Sequence, residues 1–420
     1  MNESPTVPAD AAREDDQPLA GLRVLAVENF IAGPFCSMWL GDAGAEVVKI
    51  ETPDGGDYSR ATSPRKVGAD GIERGLSFLR SNRNKKSVTL DLKSPSGRDV
   101  FLQLVAKADV LVENLRPGVM EKLGCGWNVL HAINPRLVYV AISGFGHIDV
   151  MPSPFSDRPA FDVMGQALAG LMNRPERQGD KPVYLGFSLA DIQGGILGAY
   201  GAMLALFQRG TSGVGQKVDI SLYDACLALN EISVTMYSVT RERTKPGVHA
   251  VSAPFGSYKA ADGYIVIAVL GEHIWERFCN TMGRPDLLLD EGFKDGVSRQ
   301  RNLARLDQCI NHWLSGLTRA EAVATLLANG VPASTVNDID DIFECPHVAA
   351  RKMLVPLDDP SWGQVTVAGN PVKLSGVPER KPSHPPDLGK HTEEVLQGWL
   401  GADEKQVADW RAAGGLGSSK

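Results

Sequence analysis

The sequence predicts an α/β protein with a parallel, doubly wound sheet and a second, smaller α+β domain. Short β-branched runs alternate with helical segments between residues 22 and 146, which is the spacing of consecutive βαβ units. The chain has 420 residues, more than one ordinary hydrophobic core supports, so we expect two domains. After residue 223 the pattern changes to a hairpin followed by amphipathic helices, which predicts the second domain.

The first βαβ unit is compact. A strand over residues 22–28 leads into a helix from Phe35 to Asp42, and residues 46–51 form the second strand. The turn reads Ala-Gly-Pro-Phe, not the G-x-G-x-x-G of a dinucleotide site. The pattern therefore favours the fold and argues against a nicotinamide cofactor.

Further units follow. A strand begins at Lys85, Ser94 opens a helix that runs to Lys107, and strands over 108–114 and 137–142 come next. Because the carboxyl ends of parallel strands meet at one edge of the sheet, the loops after these strands are expected to line a ligand site.

The domain boundaries follow from these changes of pattern. We expect a disordered tail over residues 1–20, the first part of the large domain over 21–222, a linker and small domain over 223–345, and a return to the large domain over 346–420. In the small domain, helices are predicted over residues 225–237, 274–282, 299–315 and 319–328, with a hairpin turn at 261–263.

Composition excludes several classes of protein. The formal net charge of −7 argues against a nucleic-acid partner, because such proteins carry a basic surplus. The apolar run after Asp191 has about a dozen residues, short of the ~20 that a bilayer requires, so no membrane partner is expected. The tail lacks the basic start and apolar core of a targeting peptide. Six isolated cysteines and scattered histidines predict reduced thiols, a cytoplasmic protein and no metal site.

Asp191 is the most suggestive single residue. It stands at the entrance of an apolar helix, where aspartate is a favoured N-cap. A helix N-terminus would also keep the carboxylate ionised, as acyl transfer through a carboxylate needs. The neighbouring glycines leave a bare helix face that something must approach closely. Capping and nucleophilic attack therefore both stay open, and Asp162 is a second acid of the same stretch.

A set of cations between residues 80 and 122 is either a solvated surface or a site for a polyphosphate tail. Its members are Arg80, Arg83, Lys85, Lys86, Lys93 and Lys122.

Several motifs together make the chain resemble the class III CoA-transferases, the family of formyl-CoA transferase and carnitine CoA-transferase, from residue 21 to residue 396. The motifs are Ala32-Gly-Pro34, Gly44-Ala-Glu-Val-Val-Lys-Ile-Glu51, Asn82-Arg-Asn-Lys-Lys-Ser87, Leu90-Asp-Leu-Lys93, Val112-Glu-Asn-Leu-Arg-Pro-Gly118, Ile142-Ser-Gly-Phe-Gly146 and Ala190-Asp191.

The resemblance implies that Asp191 is the nucleophile and that coenzyme A is a substrate, with no tightly bound cofactor. The positions matching those that hold coenzyme A are Phe30, Ile31, Leu90, Asp91, Leu92, Lys93, Asn114, Leu115 and Lys122. Asp162, Arg158 and Gln166 are the candidate residues for the acid substrate. The resemblance also implies a Rossmann-like large domain formed by both chain ends, and an interlocked homodimer.

Departures from the family pattern leave alternatives. Thr52-Pro53 stands where formyl-CoA transferase has an arginine, and a glycine-rich lid is not evident around Gly271. Family racemases have His-Asp where this chain has Phe161-Asp162, so a 2-methylacyl-CoA racemase is the alternative enzyme. A CoA-binding protein without activity is the other alternative. The Phe-Asp version is similar to members that act on short dicarboxylates such as succinate, malate or mesaconate.

Overall fold

The computed structural model describes residues 16–147, 149–173, 181–243, 252–377 and 380–417. The chain divides into two compact units. The large unit consists of Met1–Met172, Tyr184–Asn230 and Lys352–Lys420, and the small unit consists of Asn173–Val183 and Glu231–Arg351. Most of the expected tail lies outside the described residues. Its last part is ordered, contrary to expectation, since Leu19 is buried and its N–H donates to the Ala43 carbonyl at 2.9 Å.

A six-stranded parallel sheet forms the centre of the large unit. Its strands are, in chain order, β1 Arg23–Val27, β2 Glu46–Glu51, β5 Lys85–Thr89, β6 Val110–Glu113, β7 Val138–Ser143 and β8 Lys217–Ser221. The order across the sheet is β5-β2-β1-β6-β7-β8, and every neighbouring pair is parallel. The order therefore reverses between β1 and β6, where such folds bind ligands.

Helices cover both faces of this sheet, and its central strands β1, β6 and β7 are accordingly apolar on both sides. The helices of the large unit are α1 Ala32–Asp42, α2 Leu76–Leu79, α3 Pro95–Val105, α4 Val119–Lys122, α5 Trp127–Ile133, α6 Asp162–Leu168, α7 Leu189–Ser212, α8 Leu222–Leu229, α16 Thr392–Leu400 and α17 Glu404–Ala412. Helices α1 and α7 pack with Val24 and Ala26 on one face. Helices α3, α5 and α16 pack with Leu25 and Val27 on the other.

The long helix α7 lies against the sheet on its glycine face. A Cβ at Gly201 would come within 2.5 Å of Val218 Cγ1, and one at Gly195 within 2.8 Å of the Ala32 carbonyl oxygen. The glycines thus let α7 approach β8 and α1. The close approach that the sequence predicted at these glycines is therefore made by the protein's own strand and helix. By length and composition α7 could cross a bilayer, a property that the core helices of soluble proteins share.

The remaining strands of the large unit form two hairpins. They are β3 Arg65–Val67 with β4 Glu73–Gly75, and β12 Leu354–Asp359 with β13 Gly363–Ala368.

The small unit has its own sheet and core. An antiparallel sheet in the order β11-β10-β9 contains the expected hairpin, and its strands are β9 Phe255–Ala260, β10 Gly263–Ala268 and β11 Ala333–Thr335. Its helices are α9 Glu231–Thr240, α10 Glu272–Thr281, α11 Gly296–Arg301, α12 Leu303–Leu314, α13 Arg319–Ala328, α14 Ile339–Glu344 and α15 Pro346–Ala350. Ile267, Phe278 and Ile310 are among the side chains of its buried core.

Two of the helices predicted from the sequence are each interrupted and form two shorter helices in the structure. An asparagine lies at each interruption. Asn230 separates α8 from α9, and its amide donates to the Ala169 carbonyl at 2.8 Å. Asn302 separates α11 from α12 and donates to the Gly292 carbonyl at 3.1 Å. Side-chain bonds to backbone compete with helix continuation. The first break moves the start of the small unit from the expected residue 223 to Glu231, and the unit ends at Arg351 instead of residue 345.

Candidate active site

The N-terminus of α7 is capped by a residue from another helix. Asp162, the first residue of α6, accepts the N–H of Ala190 at 2.6 Å and the N–H of Asp191 at 3.1 Å through its Oδ1. Ser188, at the N-cap position itself, makes no side-chain capping bond. The free amides that open a helix are therefore satisfied by Asp162. Asp191 does not cap the helix, and among the described residues none forms a hydrogen bond or ion pair with its carboxylate.

Asp162 is fixed by a buried amide. Gln166 Nε2, one turn further along α6, donates to Asp162 Oδ2 at 2.5 Å and to the Phe187 carbonyl at 3.0 Å. Both Asp162 and Gln166 are buried. Gln166 thus ties α6 to the loop that enters α7. Arg158, the third candidate for the acid substrate, lies over the ring of Phe155, with its guanidinium carbon 3.7 Å from the ring centroid.

The surroundings of Asp191 raise its pKa. Burial and then the charge of the adjacent Asp162 carboxylate raise it to about 7, and the charge of Arg80 acts in the opposite sense. The helix amides were expected to keep Asp191 ionised, but they are turned towards Asp162. Near neutral pH, Asp191 is therefore present in both its protonated and its ionised form.

Tyr184 is a further neighbour of this pair that sequence reasoning missed. Burial, followed by the charges of Asp162 and Asp191, raises the pKa of its phenol. It stands seven residues before Asp191 in a loop with no recognisable motif, so the sequence offered no indication of its position.

A second candidate region lies at the carboxyl ends of β1, β2 and β5. A cavity of about 330 Å³ is lined by residues that directly follow these strands, and by Leu115 and Leu123 after β6. Four consecutive residues expected to hold coenzyme A, from Leu90 to Lys93, line it together with Leu115. Lys93 is exposed at its edge, and its N–H donates to Asp91 Oδ1 at 3.0 Å.

Two other residues expected to hold coenzyme A, Phe30 and Lys122, are each adjacent in sequence to a residue that lines this cavity. Phe30 follows the lining residue Asn29, and its ring stacks on Tyr58 with centroids 5.7 Å apart. Lys122 is exposed and precedes Leu123. Ile31 lies beside the first turn of α1, which Gly195 of α7 contacts.

Asn114 faces the backbone of the loop after β1. Its Oδ1 accepts the N–H of Asn29 and its Nδ2 donates to the carbonyl of Asn29, both at 2.8 Å. Both polar atoms of its side chain are thus used within the protein.

Half of the basic cluster is paired with carboxylates and is not available to phosphates. Arg83 is buried against Asp42 at 2.7 Å, and Lys85 is buried against Glu28 at 2.7 Å. Lys86 bridges two glutamates, at 2.7 and 2.8 Å. Arg80, Lys93 and Lys122 are the members that remain exposed.

Two buried lysines stand behind the cavity. Lys49 contacts Asp57 Oδ2 at 2.8 Å and Glu28 Oε1 at 3.4 Å, with none of these side chains exposed to solvent. Burial lowers the pKa of Lys85 to about 8, although Glu28 opposes the effect. Within the described ranges, no group of three or more His, Cys, Asp and Glu residues could hold a metal ion.

A larger cavity of about 810 Å³ lies at the opposite, amino end of the sheet, lined by Arg23, Glu46 and Lys86. The smaller cavity is the candidate ligand site, because ligands of doubly wound folds bind at the carboxyl ends of the strands.

Comparisons with known proteins identify the family. The sequence profile described as CoA-transferase family III matches residues 19–392. The chain is 38% identical to the beta subunit of succinyl-CoA–L-malate CoA-transferase from Chloroflexus aurantiacus, over 94% of this chain and 97% of that protein. It is also 38% identical to the succinyl-CoA:mesaconate CoA-transferase of Haloarcula hispanica, over 90% and 95% of the two chains. A solved CAIB/BAIF family protein from Brucella suis superposes with a TM-score of 0.80 at 30% identity, covering 91% of this chain and all of the other.

Proposed function

This chain belongs to CoA-transferase family III, and we propose that it moves coenzyme A from succinyl-CoA to a short dicarboxylic acid with Asp191 as the nucleophile. The observation that carries the proposal is that Asp162, and not Asp191, caps the N-terminus of α7. Asp162 takes over the capping of α7, so that Asp191 keeps an uncommitted carboxylate beside it.

The reaction balances without a metal or an external base. The Asp191 carboxylate attacks the thioester carbonyl, the C–S bond breaks, and the products are a mixed anhydride and CoA thiolate. The thiolate then attacks the aspartyl carbonyl, which releases the donor acid and leaves an aspartyl-CoA thioester. The acceptor carboxylate attacks that thioester, forming a second anhydride and freeing the thiolate. Attack of the thiolate on the acceptor carbonyl yields the new acyl-CoA and restores Asp191.

The raised pKa of Asp191 suits this chemistry. An ordinary aspartate is a much weaker base than a thiolate, whose conjugate acid has a pKa of roughly 8.5 in cysteine, so it displaces one with difficulty. A carboxylate whose pKa is about 7 is closer in basicity to the group that it expels. Near neutral pH a large fraction of it is also ionised, as the attack requires.

Coenzyme A is proposed to occupy the cavity at the carboxyl ends of β1, β2 and β5. Leu90 to Lys93 and Leu115 would line its path. Lys93 and Lys122 are exposed cations suited to its phosphates. Phe30, stacked on Tyr58, offers a planar surface of the kind on which a nucleotide base stacks.

The dicarboxylate class rests on two observations. Two relatives at 38% identity are named for succinyl-CoA with malate and with mesaconate, and a third at 35% for citramalate. The exposed guanidinium of Arg80 is the cation whose charge acts on Asp191. We propose that it binds the second carboxylate of the acyl group, which the negative charges of Asp162 and Asp191 would otherwise repel.

We propose transfer in preference to racemisation because Phe161, which is exposed, supplies no base where a family racemase has its histidine.

We also infer the interlocked homodimer that the family resemblance implies. A stripe of exposed apolar side chains on α7 supports an apolar interface, and its members are Tyr200, Met203, Leu204 and Phe207. A reducing, cytoplasmic location is consistent with the six free cysteines.

A substrate panel tests the proposed function. Purified protein is incubated with succinyl-CoA and one acid at a time: malate, mesaconate, citramalate, acetate or butyrate. We expect the new acyl-CoA, measured by chromatography and mass spectrometry, with the dicarboxylates and little with the monocarboxylates. Arg80→Met should raise KM for the dicarboxylates selectively. Equal rates for both classes of acid would contradict the dicarboxylate assignment, and binding of CoA without any transfer would identify the chain as a CoA-binding protein.

A further inference from the structure

We propose that Asn114 is a positioning residue: together with Asp57 it clamps the Asn29–Phe30 turn in a left-handed conformation, and this conformation sets the affinity for coenzyme A. The inference rests on the proposed CoA site. It assigns to the side chain of Asn114 a role different from direct contact with the ligand.

The turn needs a clamp because Phe30 has an unfavourable backbone. Its φ is +61°, in the left-handed region that bulky L-residues rarely occupy. Such a conformation costs on the order of 1–3 kcal/mol and persists only where the surrounding structure imposes it. Of the four described non-glycine residues with positive φ, Phe30 is the only aromatic one.

Asn114 provides one side of the clamp. Its amide makes a two-bond pair with the N–H and the carbonyl of Asn29, both at 2.8 Å. Because Asn29 follows β1 and Asn114 follows β6, this pair bridges the point where the strand order reverses. Gly33 leaves room for it, since a Cβ there would come within 3.0 Å of Asn114 Oδ1.

Asp57 provides the other side. Its Oδ1 accepts the N–H of Phe30 at 3.1 Å and that of Ser59 at 2.8 Å. Its Oδ2 lies 2.8 Å from the ammonium of Lys49, which also donates to the Glu28 carbonyl at 3.1 Å. The ionised carboxylate is therefore held by a buried cation that is fixed to the same loop.

The clamp acts at the cavity edge. Asn29 and Asp57 both line the cavity, and Tyr58, which follows Asp57, carries the ring on which Phe30 stacks. The N–H of Tyr58 donates to Asn29 Oδ1 at 3.3 Å. Release of the turn would displace the Phe30 ring and reshape the cavity wall together.

The test is a double-mutant cycle on the affinity for free CoA, measured by titration calorimetry on the full chain. We expect Asn114→Ala to weaken binding about tenfold, with a matching rise in KM and little change in kcat. Glycine adopts a positive φ without cost. In a Phe30→Gly background, Asn114→Ala should therefore weaken binding only about twofold further. Asn114→Asp, which keeps the acceptor for the Asn29 N–H, should retain part of the affinity and serves if the alanine variant does not fold.

Asn134→Ala is the matched control. Asn134 is partly buried like Asn114, and its amide also bonds backbone, donating to the carbonyls of Val105 and Ala108 at the opposite end of the sheet. It should lose stability but keep the affinity for CoA. The clamp is overturned if Asn114→Ala leaves CoA binding unchanged, or weakens it equally in both backgrounds, or if Asn134→Ala weakens it as much. Failure of the proposed function differs from each of these results, because the unmutated chain would then fail to transfer CoA.

Discussion

The Asp162 carboxylate accepts the backbone N–H of Asp191 at 3.1 Å, so two aspartates divide tasks that one residue at a helix start would otherwise combine. Asp162 receives the stabilisation that the amides and dipole of α7 provide. Asp191 is largely removed from solvent and lies beside the charged Asp162, and these two effects raise its pKa to about 7. The Asp191 carboxylate is therefore more basic than that of an ordinary helix-capping aspartate, and it is not used to accept the helix N–H groups.

The first prediction concerns the pH dependence of transfer. Because attack requires the ionised form of Asp191, kcat/KM should rise with pH and reach half its plateau near pH 7. Asp162→Asn removes one cause of the raised pKa of Asp191 while an amide oxygen can still accept the helix N–H groups. The acid limb of the profile should move down by about one pH unit. An unmoved limb would show that Asp162 does not tune Asp191.

The second prediction concerns stability. The folded-state pKa of Asp191 lies above its unfolded value, so the folded state binds the extra proton and loses stability as pH rises from about 4 to about 7. Asp191→Asn cannot ionise and should be more stable than the unmutated protein at pH 8. The advantage should shrink as pH falls from 8 to 5 in thermal unfolding experiments. A constant difference across this range would contradict the raised pKa.

The third prediction separates an exposed cation at the cavity from one elsewhere. Lys93→Ala should raise KM for the CoA thioester severalfold, on the order of 1 kcal/mol for one charge-assisted phosphate contact, and should do so less at high salt. Its melting temperature should not change, because Lys93 is exposed. Lys107→Ala, at an exposed position after α3, is the control and should leave KM unaltered. Equal effects of both substitutions would remove Lys93 from the site.

The fourth prediction uses two glycines of α7. Gly210 has open space where a Cβ would be, so Gly210→Ala should stabilise the protein by up to about 1 kcal/mol through helix propensity. At Gly201 the same substitution brings a Cβ within 2.5 Å of Val218 Cγ1, so it should destabilise, as overpacking does. Urea unfolding measures both. A stabilising Gly201→Ala would show that α7 is less closely packed on β8 than described.

Local sequence patterns predicted the parallel strands because each strand and helix reflects the periodicity and capping of a few consecutive residues. They could not predict which acid caps α7, since Asp162 lies 29 residues before Asp191 and reaches it only through tertiary packing. The same limit hid the break at Asn230, whose amide bonds to the carbonyl of Ala169, 61 residues away.

The burial of charged side chains was the other feature that the sequence did not predict. From the sequence, Lys85 belonged either to a solvated surface or to a phosphate site, yet it is fully buried against Glu28. Lysine is rarely buried without a partner, and no local pattern reveals a partner 57 residues away. Leu90 to Lys93 were easier to place, because they directly follow a strand whose carboxyl end defines the cavity.

The most direct test of the central claim is to trap the covalent intermediate. The protein is incubated with succinyl-CoA, quenched with hydroxylamine, digested and mapped by mass spectrometry, because hydroxylamine converts an acylated or thioesterified carboxyl into a hydroxamate. We expect a hydroxamate at Asp191 that is absent without succinyl-CoA, and loss of CoA exchange in Asp191→Ala. A hydroxamate on another carboxylate, or undiminished exchange by Asp191→Ala, would contradict this expectation.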